Sequence, residues 1–536
     1  MKRESKNKKE RSKKIHAKKK VQVQEKLDKL RKIDEEKMMK KRKKFALFFL
    51  LWICIFSVGL VRKTFQNDTF YTIEIGELIL NNGIDMMDHF SIHSSLSYTY
   101  PHWLYDVFIY ICYMIGGYSA IHISSVVLLV IILGVVFRLN TKITNNYSVS
   151  AFATFICALA LSGFATARAQ LASFLVFAAQ IYFIEMFLQN GKKRYLFGLI
   201  FLSWLICNIH VAVWPFYFIV FLPYLAEFVL SFIVSKIKLK KHNKFTTFLK
   251  NKFVLDKNKN IKWLFVTMLV SSLTGLLTPI GDTPYTYMIN MMMSDAQEYV
   301  QEHQMITWIN SPFTIIIAGE TLFLSLISKV KLRDFFMICG LALMSVISVR
   351  HIALLALIGT ICFARLFSMF FENYKFDIDD KIIKFINKKS VAVTSFVVVI
   401  VISSLLLSYQ LNEKFVDDEM YPVEAVKYIK ENINIDEMRI FNEYNFGSYL
   451  LHHDIPVFID SRADLYTSEF SDFEYDIFDD FRYSPTKYQE VFDFYDITHI
   501  LIYKDKDNAI YRVINGDDKF NILYEDEFFI FYERLV

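Results

Sequence analysis

Apolar runs about as long as a membrane is thick are the feature that most constrains this chain. About eleven such runs occur before residue 411, and the first of them is Phe45–Val61. Apolar residues make up 54% of the sequence and the mean hydropathy is +0.29, which is more than the largely polar surface of a soluble protein permits. The pattern predicts a polytopic α-helical membrane protein. The predicted spans lie near 45–61, 119–138, 149–166, 171–189, 195–211, 212–234, 263–280, 312–328, 335–349, 352–369 and 391–409.

Two shorter stretches near the first span predict helices of another kind. Trp103–Ile115 is apolar, but its length of about 13 residues is short of the roughly 20 needed to span, and Gly116-Gly117 ends it. We interpret it as a re-entrant or interfacial helix. Phe70–Leu80 alternates apolar and acidic residues near helical spacing and stops at Asn81-Asn82-Gly83. This pattern predicts a helix lying along the membrane interface.

Charge is distributed very unevenly along the chain. Residues 1–44 carry 21 Lys and Arg against 7 Asp and Glu, whereas residues 411–536 carry 12 against 29. Basic flanks stay in the cytoplasm, so the N-terminus is predicted to be cytoplasmic. With Trp103–Ile115 not counted as a span, every basic loop also falls on the cytoplasmic side. Residues 411–536 then lie outside, after about 11 spans.

Three regions follow from this topology. Residues 1–44 form a basic cytoplasmic arm, residues 45–410 a membrane domain with outer loops 62–118 and 279–311, and residues 411–536 an acidic extracytoplasmic domain. In the last region Pro422–Asn432 has helical spacing, and three apolar stretches predict buried strands: Arg439–Asn442, Pro456–Asp460 and His499–Tyr503. The expected fold is therefore a multi-span helical membrane protein with a small C-terminal extracytoplasmic α/β domain.

Composition also argues against several functional classes. The basic arm is more simply explained by anionic lipid headgroups than by nucleic acid, so membrane lipids and no nucleic acid are the expected partners. All six cysteines lie in apolar stretches, which indicates neither a disulfide framework nor a thiolate metal site. The histidines of the first outer loop have no regular metal-ligand spacing, so no metal site is predicted.

Unusual polar residues near the membrane collect on the predicted outer side. Ionisable groups at membrane depth are costly, so their clustering on one face suggests a site there. Each also has a structural explanation: Asp68 could cap the helix beginning near Thr69, the arginines could reach to headgroups, and His210 could be a core histidine. The residues in question are Asp68, Asp88, His102, Arg168, His210, His303, Arg350 and His351.

The order of these segments resembles the C-type glycosyltransferase superfamily, whose members use polyprenyl-phosphate sugars and include protein mannosyltransferases and the aminoarabinose transferase. The likeness covers roughly residues 45–536. Its residues are Asp68–Gly76 through Gly83, Asp88–Ser91, His102–Leu104, Arg168–Gln170, Asn208–His210, Arg350-His351, Asn445–Tyr449 and Phe458–Tyr466.

The resemblance implies transfer of a sugar from a polyprenyl-phosphate donor to an extracytoplasmic glycan, lipid or protein, by an inverting-type mechanism. It implies Asp68 as the catalytic base, and Arg350 and Arg168 as contacts to the donor phosphate. Residues lining the acceptor or substrate would be Asp88, His102, His210, His303 and His351. No cofactor is indicated beyond the donor lipid. Two other classes stay open: a transporter or flippase of lipid-linked saccharides, and a non-catalytic membrane scaffold.

Overall fold

Long α-helices make up most of the chain in this computed structural model, which describes residues 2–236, 252–254, 258–294, 312–347, 351–374, 376, 378–471, 473 and 475–535. The first eight helices are α1 (Lys2–Leu60), α2 (Asn67–Asn82), α3 (Trp103–Thr144), α4 (Tyr147–Leu161), α5 (Ala169–Asn190), α6 (Arg194–Ile209), α7 (Trp214–Ile219) and α8 (Leu222–Lys236). The next seven are α9 (Ile261–Ser272), α10 (Thr283–Met293), α11 (Pro312–Ile327), α12 (Leu332–Ile347), α13 (Ile352–Asn373), α14 (Ile378–Ile386) and α15 (Lys389–Leu411). A short parallel pair, β1 (Phe253–Val254) and β2 (Val330–Lys331), lies among them.

The helices fall on the apolar runs of the sequence. Within the described ranges, seven are long and apolar enough to cross a membrane, judged by length and composition. Three further runs fall on the shorter apolar helices Arg194–Ile209, Ile261–Leu276 and Ala318–Ile327, and α12 covers the remaining one. The polytopic helical fold is therefore confirmed, and the chain is a multi-pass membrane protein.

The glycine pair in α3 divides that helix into two. Gly116 and Gly117 have non-helical backbone angles, and Gly117 has φ 59°, which glycine adopts without the strain a side chain would bring. Trp103–Ile115 is thus a helical segment separate from the long apolar segment after it. The break is where the sequence predicts it, and the position of this segment relative to the membrane stays a prediction.

Helix α2 packs closely against the first segment of α3. The predicted end of α2 is confirmed, because Gly83 follows Asn82 with φ 86° and its N–H bonds to the carbonyl of Ile79. A Cβ at Gly76 would lie 2.2 Å from the carbonyl oxygen of Asp106 and 2.7 Å from Cβ of Tyr110. Only glycine therefore permits this approach of the two helices.

We expect Gly76→Ala to lower the free energy of unfolding by roughly 1–3 kcal/mol, because the methyl group forces the backbones of α2 and α3 apart. Gly134→Ala is the matched control, since a Cβ there meets nothing within 4 Å and alanine favours the helix. Thermal unfolding of both variants in detergent checks this. Equal stability of the two would show that α2 and α3 do not need this close approach.

The C-terminal region contains a four-stranded sheet with helices packed on it. Its strands are β3 (Ile440–Asn442), β4 (His499–Tyr503), β5 (Phe520–Glu525) and β6 (Phe529–Arg534), in the order β3-β4-β6-β5. β3 and β4 are parallel, and the other neighbours are antiparallel. The helices are α16 (Val423–Asn432), α17 (Gly447–Leu451), α18 (Ile477–Phe494) and α19 (Ala509–Ile514). The small α/β domain is confirmed, together with its first helix and two of the three predicted strands.

The third predicted strand, Pro456–Asp460, is wrong as a member of the sheet. The segment is buried, as its apolar residues indicate, but it pairs with the loop between α2 and α3, the predicted first outer loop, through a single bridge between Ser91 and Val457. The N–H of Ile92 donates to the carbonyl of Val457 at 2.8 Å, and the N–H of Val457 donates to Phe90 at 3.1 Å. The first outer loop is thus built into the C-terminal domain.

Buried ion pairs hold four of the membrane helices together. Arg333 contacts Glu185 and Glu227 at 3.1 Å each, and Arg365 contacts Glu185 at 2.8 Å and Asp334 at 2.6 Å. These side chains come from α5, α8, α12 and α13. Charges at membrane depth are tolerated when they pair with one another, so this cluster has a structural explanation.

Candidate functional site

A cavity of about 940 Å³ lies where the membrane helices meet the C-terminal domain. Its wall is formed by α2, the loop before α3, the start of α5, the helix α10, and loops and helices of the C-terminal domain. Four of the predicted site residues line it: Asp68, His102, Arg168 and His210. Asp68 and His210, which are 142 positions apart in the sequence, thus line the same cavity.

Asp68 and Arg168 form an ion pair at this wall. A carboxylate oxygen of Asp68 lies 2.6 Å from Nη2 of Arg168, with 21% and 23% of the two side chains exposed. The residue before α2 is Gln66, so Asp68 is in the first turn and the N-cap interpretation is wrong. Arg168 precedes α5 and also donates to the side-chain oxygen of Gln66 at 3.4 Å. The pair joins the beginnings of two helices.

His102 belongs to a hydrogen-bonded chain beside this ion pair. Its Nδ1 lies 3.1 Å from a carboxylate oxygen of Asp106, and its Nε2 lies 3.3 Å from the hydroxyl of Tyr71. Asp106 is completely buried, one helical turn after His102. The i,i+4 spacing of His102 and Asp106 is the sequence signal that identifies this pair, although it does not reveal Tyr71.

The other predicted histidines are placed differently. His210 is buried, with Nδ1 2.9 Å from Oγ of Ser173, and its ring lies 6.0 Å from that of His102. His351 immediately precedes α13, with Nδ1 3.2 Å from the carbonyl of Met344. His303 and Arg350 lie outside the described residues.

Asp88 forms part of a buried network between the first outer loop and the C-terminal domain. Its carboxylate lies 2.6 Å from Nη1 of Arg462, whose Nη2 lies 2.7 Å from Asp460. The hydroxyl of Tyr466 also donates to Asp460 at 2.6 Å. Burial would raise the pKa of Asp88, but Arg462 and Ser91 lower it below its usual range. Arg462 lines the cavity, whereas the carboxylate of Asp88 is turned towards the guanidinium.

The C-terminal domain contributes acidic side chains to the cavity wall, where they lie with aromatic residues of other segments. Burial raises the pKa of Asp464. The hydroxyl of Tyr287 donates to its Oδ2 at 3.1 Å, and this hydrogen bond offsets part of the rise. Burial likewise raises the pKa of Glu443, although the side-chain amide of Asn508 donates to it at 2.6 Å. The hydroxyl of Tyr98, also on the wall, is buried without a hydrogen-bond partner among the described residues. Such an orphaned polar group is typical of a site that binds water or a ligand.

Metal binding finds no support in the part of the chain that the structure describes, where no three His, Cys, Asp or Glu side chains gather as metal ligands. The arrangement provides a carboxylate beside a guanidinium, an imidazole held by a second carboxylate, and a polar wall with aromatic rings. This set can accept a proton and bind an anion.

One solved structure with a similar fold is ArnT from Cupriavidus metallidurans, bound to undecaprenyl phosphate. The TM-score is 0.51 at 11% sequence identity, over 91% of this chain and 97% of that chain. At this identity the likeness shows that the two chains share a fold. No protein-family model and no curated protein matches the sequence.

Proposed function

We propose that this protein is a membrane glycosyltransferase that moves a sugar from a polyprenyl-phosphate donor to an acceptor on the side of its C-terminal domain. The observation that carries the proposal is the Asp68–Arg168 pair on the wall of the cavity. A base for the acceptor and a cation for the phosphate are the two groups this reaction needs. The fold shared with ArnT, a protein bound to undecaprenyl phosphate, supports the same donor class.

In the proposed reaction, an acceptor hydroxyl or amine attacks the anomeric carbon of the sugar. Its oxygen or nitrogen bonds to that carbon as the bond from carbon to phosphate oxygen breaks, and the electron pair leaves with the lipid phosphate. Asp68 takes the acceptor's proton, and Arg168 offsets the charge that develops on the phosphate. A direct displacement of this kind inverts the anomeric configuration. Arg350 stays a predicted second contact to the phosphate.

The remaining predicted residues take supporting roles in this proposal. His210 lines the cavity and packs against His102, while His303 and His351 stay predicted acceptor contacts. Asp88 acts through Arg462, which it helps to fix in the wall. The positive-inside pattern supports a cytoplasmic N-terminus and an extracytoplasmic cavity, where acceptors would be glycans, lipids or proteins of the cell envelope.

A transporter or flippase of lipid-linked saccharides is the second candidate, and the buried charges of α5, α8, α12 and α13 are the observation that favours it. A polar pathway through a membrane needs such groups. Here, however, each of the two arginines contacts two carboxylates, which suits a fixed cross-link between helices better than a pathway.

The experiment that separates these functions uses lipid extracts from a deletion strain, in which an unused donor accumulates. Purified full-length protein is added with cell-envelope material, and free undecaprenyl phosphate is measured by mass spectrometry. A transferase releases it and a sugar appears on the acceptor. A flippase or a scaffold leaves the covalent composition of the lipids unchanged, and this result would rule out the proposal.

A further inference from the structure

The carboxylate of Asp106 is in an electrostatically unusual position. It is fully buried, and within the described part of the chain its ion pair is with His102, whose side chain is 14% exposed. A buried carboxylate without a counter-charge is strongly disfavoured. Burial raises the pKa of Asp106, and the contact with His102 lowers it in part. The contact to Nδ1 favours a proton on that nitrogen, which makes the imidazole a positive imidazolium when Asp106 is ionised.

Other groups around His102 act in the same direction. Burial lowers the pKa of His102, whereas the negative charges of Asp106, Asp464 and Asp68 raise it, with Asp106 having the largest effect of the three. The net result is a pKa above the ordinary value of histidine. The groups that face the ring are Asp106 from α3, Tyr71 and Asp68 from α2, His210 from the end of α6, and Asp464 from the C-terminal domain. Below its raised pKa, His102 thus adds a positive charge to the wall that holds Arg168.

Tyr71, which lines the cavity, is hydrogen-bonded to His102. Burial raises the pKa of Tyr71, and the negative charges of Asp68 and Asp106 raise it further, so its hydroxyl keeps its proton. Arg168 lines the same cavity as Tyr71. An imidazolium Nε2–H donates to the Tyr71 oxygen, which leaves the Tyr71 O–H available to an anion.

We propose that Asp106, His102 and Tyr71 form an anion-binding element that holds the phosphate of a lipid phosphate ester, together with Arg168. The geometry that supports it is a continuous chain from a fully buried carboxylate, through an imidazole, to a hydroxyl on the wall of the cavity that Arg168 also lines. The inference rests on the proposed function, and it assigns His102 to the donor rather than to the acceptor. Asp106 is a positioning residue that acts through His102.

The test measures binding of undecaprenyl phosphate to the full-length protein in phosphatidylcholine nanodiscs, from about pH 6 to about pH 9. Wild-type protein should bind more tightly than His102→Gln by about 10-fold or more at the lower pH, because a charge-assisted contact is lost. The difference should vanish as pH rises through the raised pKa of His102, since the imidazolium is present only below it. The titration of the phosphate ester is common to both proteins and cancels in the comparison.

Asp106→Asn tests whether Asp106 acts through the pKa of His102, because a purely structural role would not shift the pH dependence of affinity. It removes the largest influence that raises the pKa of His102 and leaves burial, which lowers it. The pH at which affinity falls should therefore shift downwards relative to the wild type. His499→Gln, on β4 and stacked on Phe531, is the control for loss of a histidine.

The outcomes distinguish the two proposals. If wild type binds the lipid and His102→Gln binds it equally at every pH, the anion-binding element is refuted and the proposed function stands. If wild type does not bind undecaprenyl phosphate at all, both are refuted. If inorganic phosphate binds in a His102-dependent manner and the lipid does not, the site serves free phosphate and the assignment to a lipid ester is wrong.

Discussion

Replacing Asp68 by asparagine is expected to lower kcat for sugar transfer by about 10²- to 10⁴-fold, the usual contribution of a general base. Asparagine keeps the shape of the side chain and cannot take up the acceptor's proton. KM for the donor should change little, because the loss falls on the transition state and not on binding of the ground state. The measurement is steady-state release of undecaprenyl phosphate by the purified variant.

The fold should survive this change, which makes the result interpretable. The Asp68–Arg168 pair is partly exposed to water, and such pairs contribute about 0–1 kcal/mol to stability. The matched control is Asp85→Asn in the same outer loop, where an exposed carboxylate pairs with His89 at 2.6 Å. Full activity of Asp68→Asn would show that the proton is taken elsewhere. Equal losses in both variants would point to a general effect on the loop.

Much of the fold could be predicted because its cause is local in sequence. Length and apolar composition determine which segments span a membrane, and the glycines at 116 and 117 mark the break in α3. The two confirmed strands, Ile440–Asn442 and His499–Tyr503, are buried apolar stretches bounded by polar ones. Such signals lie within a short stretch of sequence, and they can be read without knowing which distant residues that stretch contacts.

The parts that could not be predicted depend on partners far away in the chain. Pro456–Asp460 has the composition of a buried strand, yet Ser91 of the first outer loop pairs with it in place of a sheet neighbour. Nothing in its composition specifies that partner. The pairing of Asp68 with Arg168 is of the same kind, since each residue alone has an ordinary explanation at a helix start. The gathering of Asp68, His102, Arg168 and His210 in one region could be inferred, whereas their contacts required the fold.

Arg462→Met is expected to lower the free energy of unfolding by about 3–5 kcal/mol, because it leaves two buried carboxylates without their shared cation. Arg462 is 2% exposed and bridges Asp88 and Asp460. Methionine fills much of the space and brings no charge. Because the bridge joins the first outer loop to the C-terminal domain, the rate of tryptic cleavage in residues 411–536 should rise. Arg512→Met, on the exposed face of α19, is the control for loss of an arginine and should leave that rate unchanged.

The pH dependence of this deficit separates lost charge pairing from lost packing. In the wild type, Arg462 holds the pKa of Asp88 below its usual range, so this stabilisation is present above about pH 4 and is lost as pH falls. In Arg462→Met, burial, the largest influence, raises the pKa of the same carboxyl against the hydrogen bonds of Ser91 alone, so the variant loses stability as pH rises. The gap between the two proteins should therefore be largest near neutral pH and narrow below about pH 5. A gap independent of pH would mean that Arg462 acts through its packing against Phe90 and Tyr98, and that its charge is not needed to hold the cavity wall.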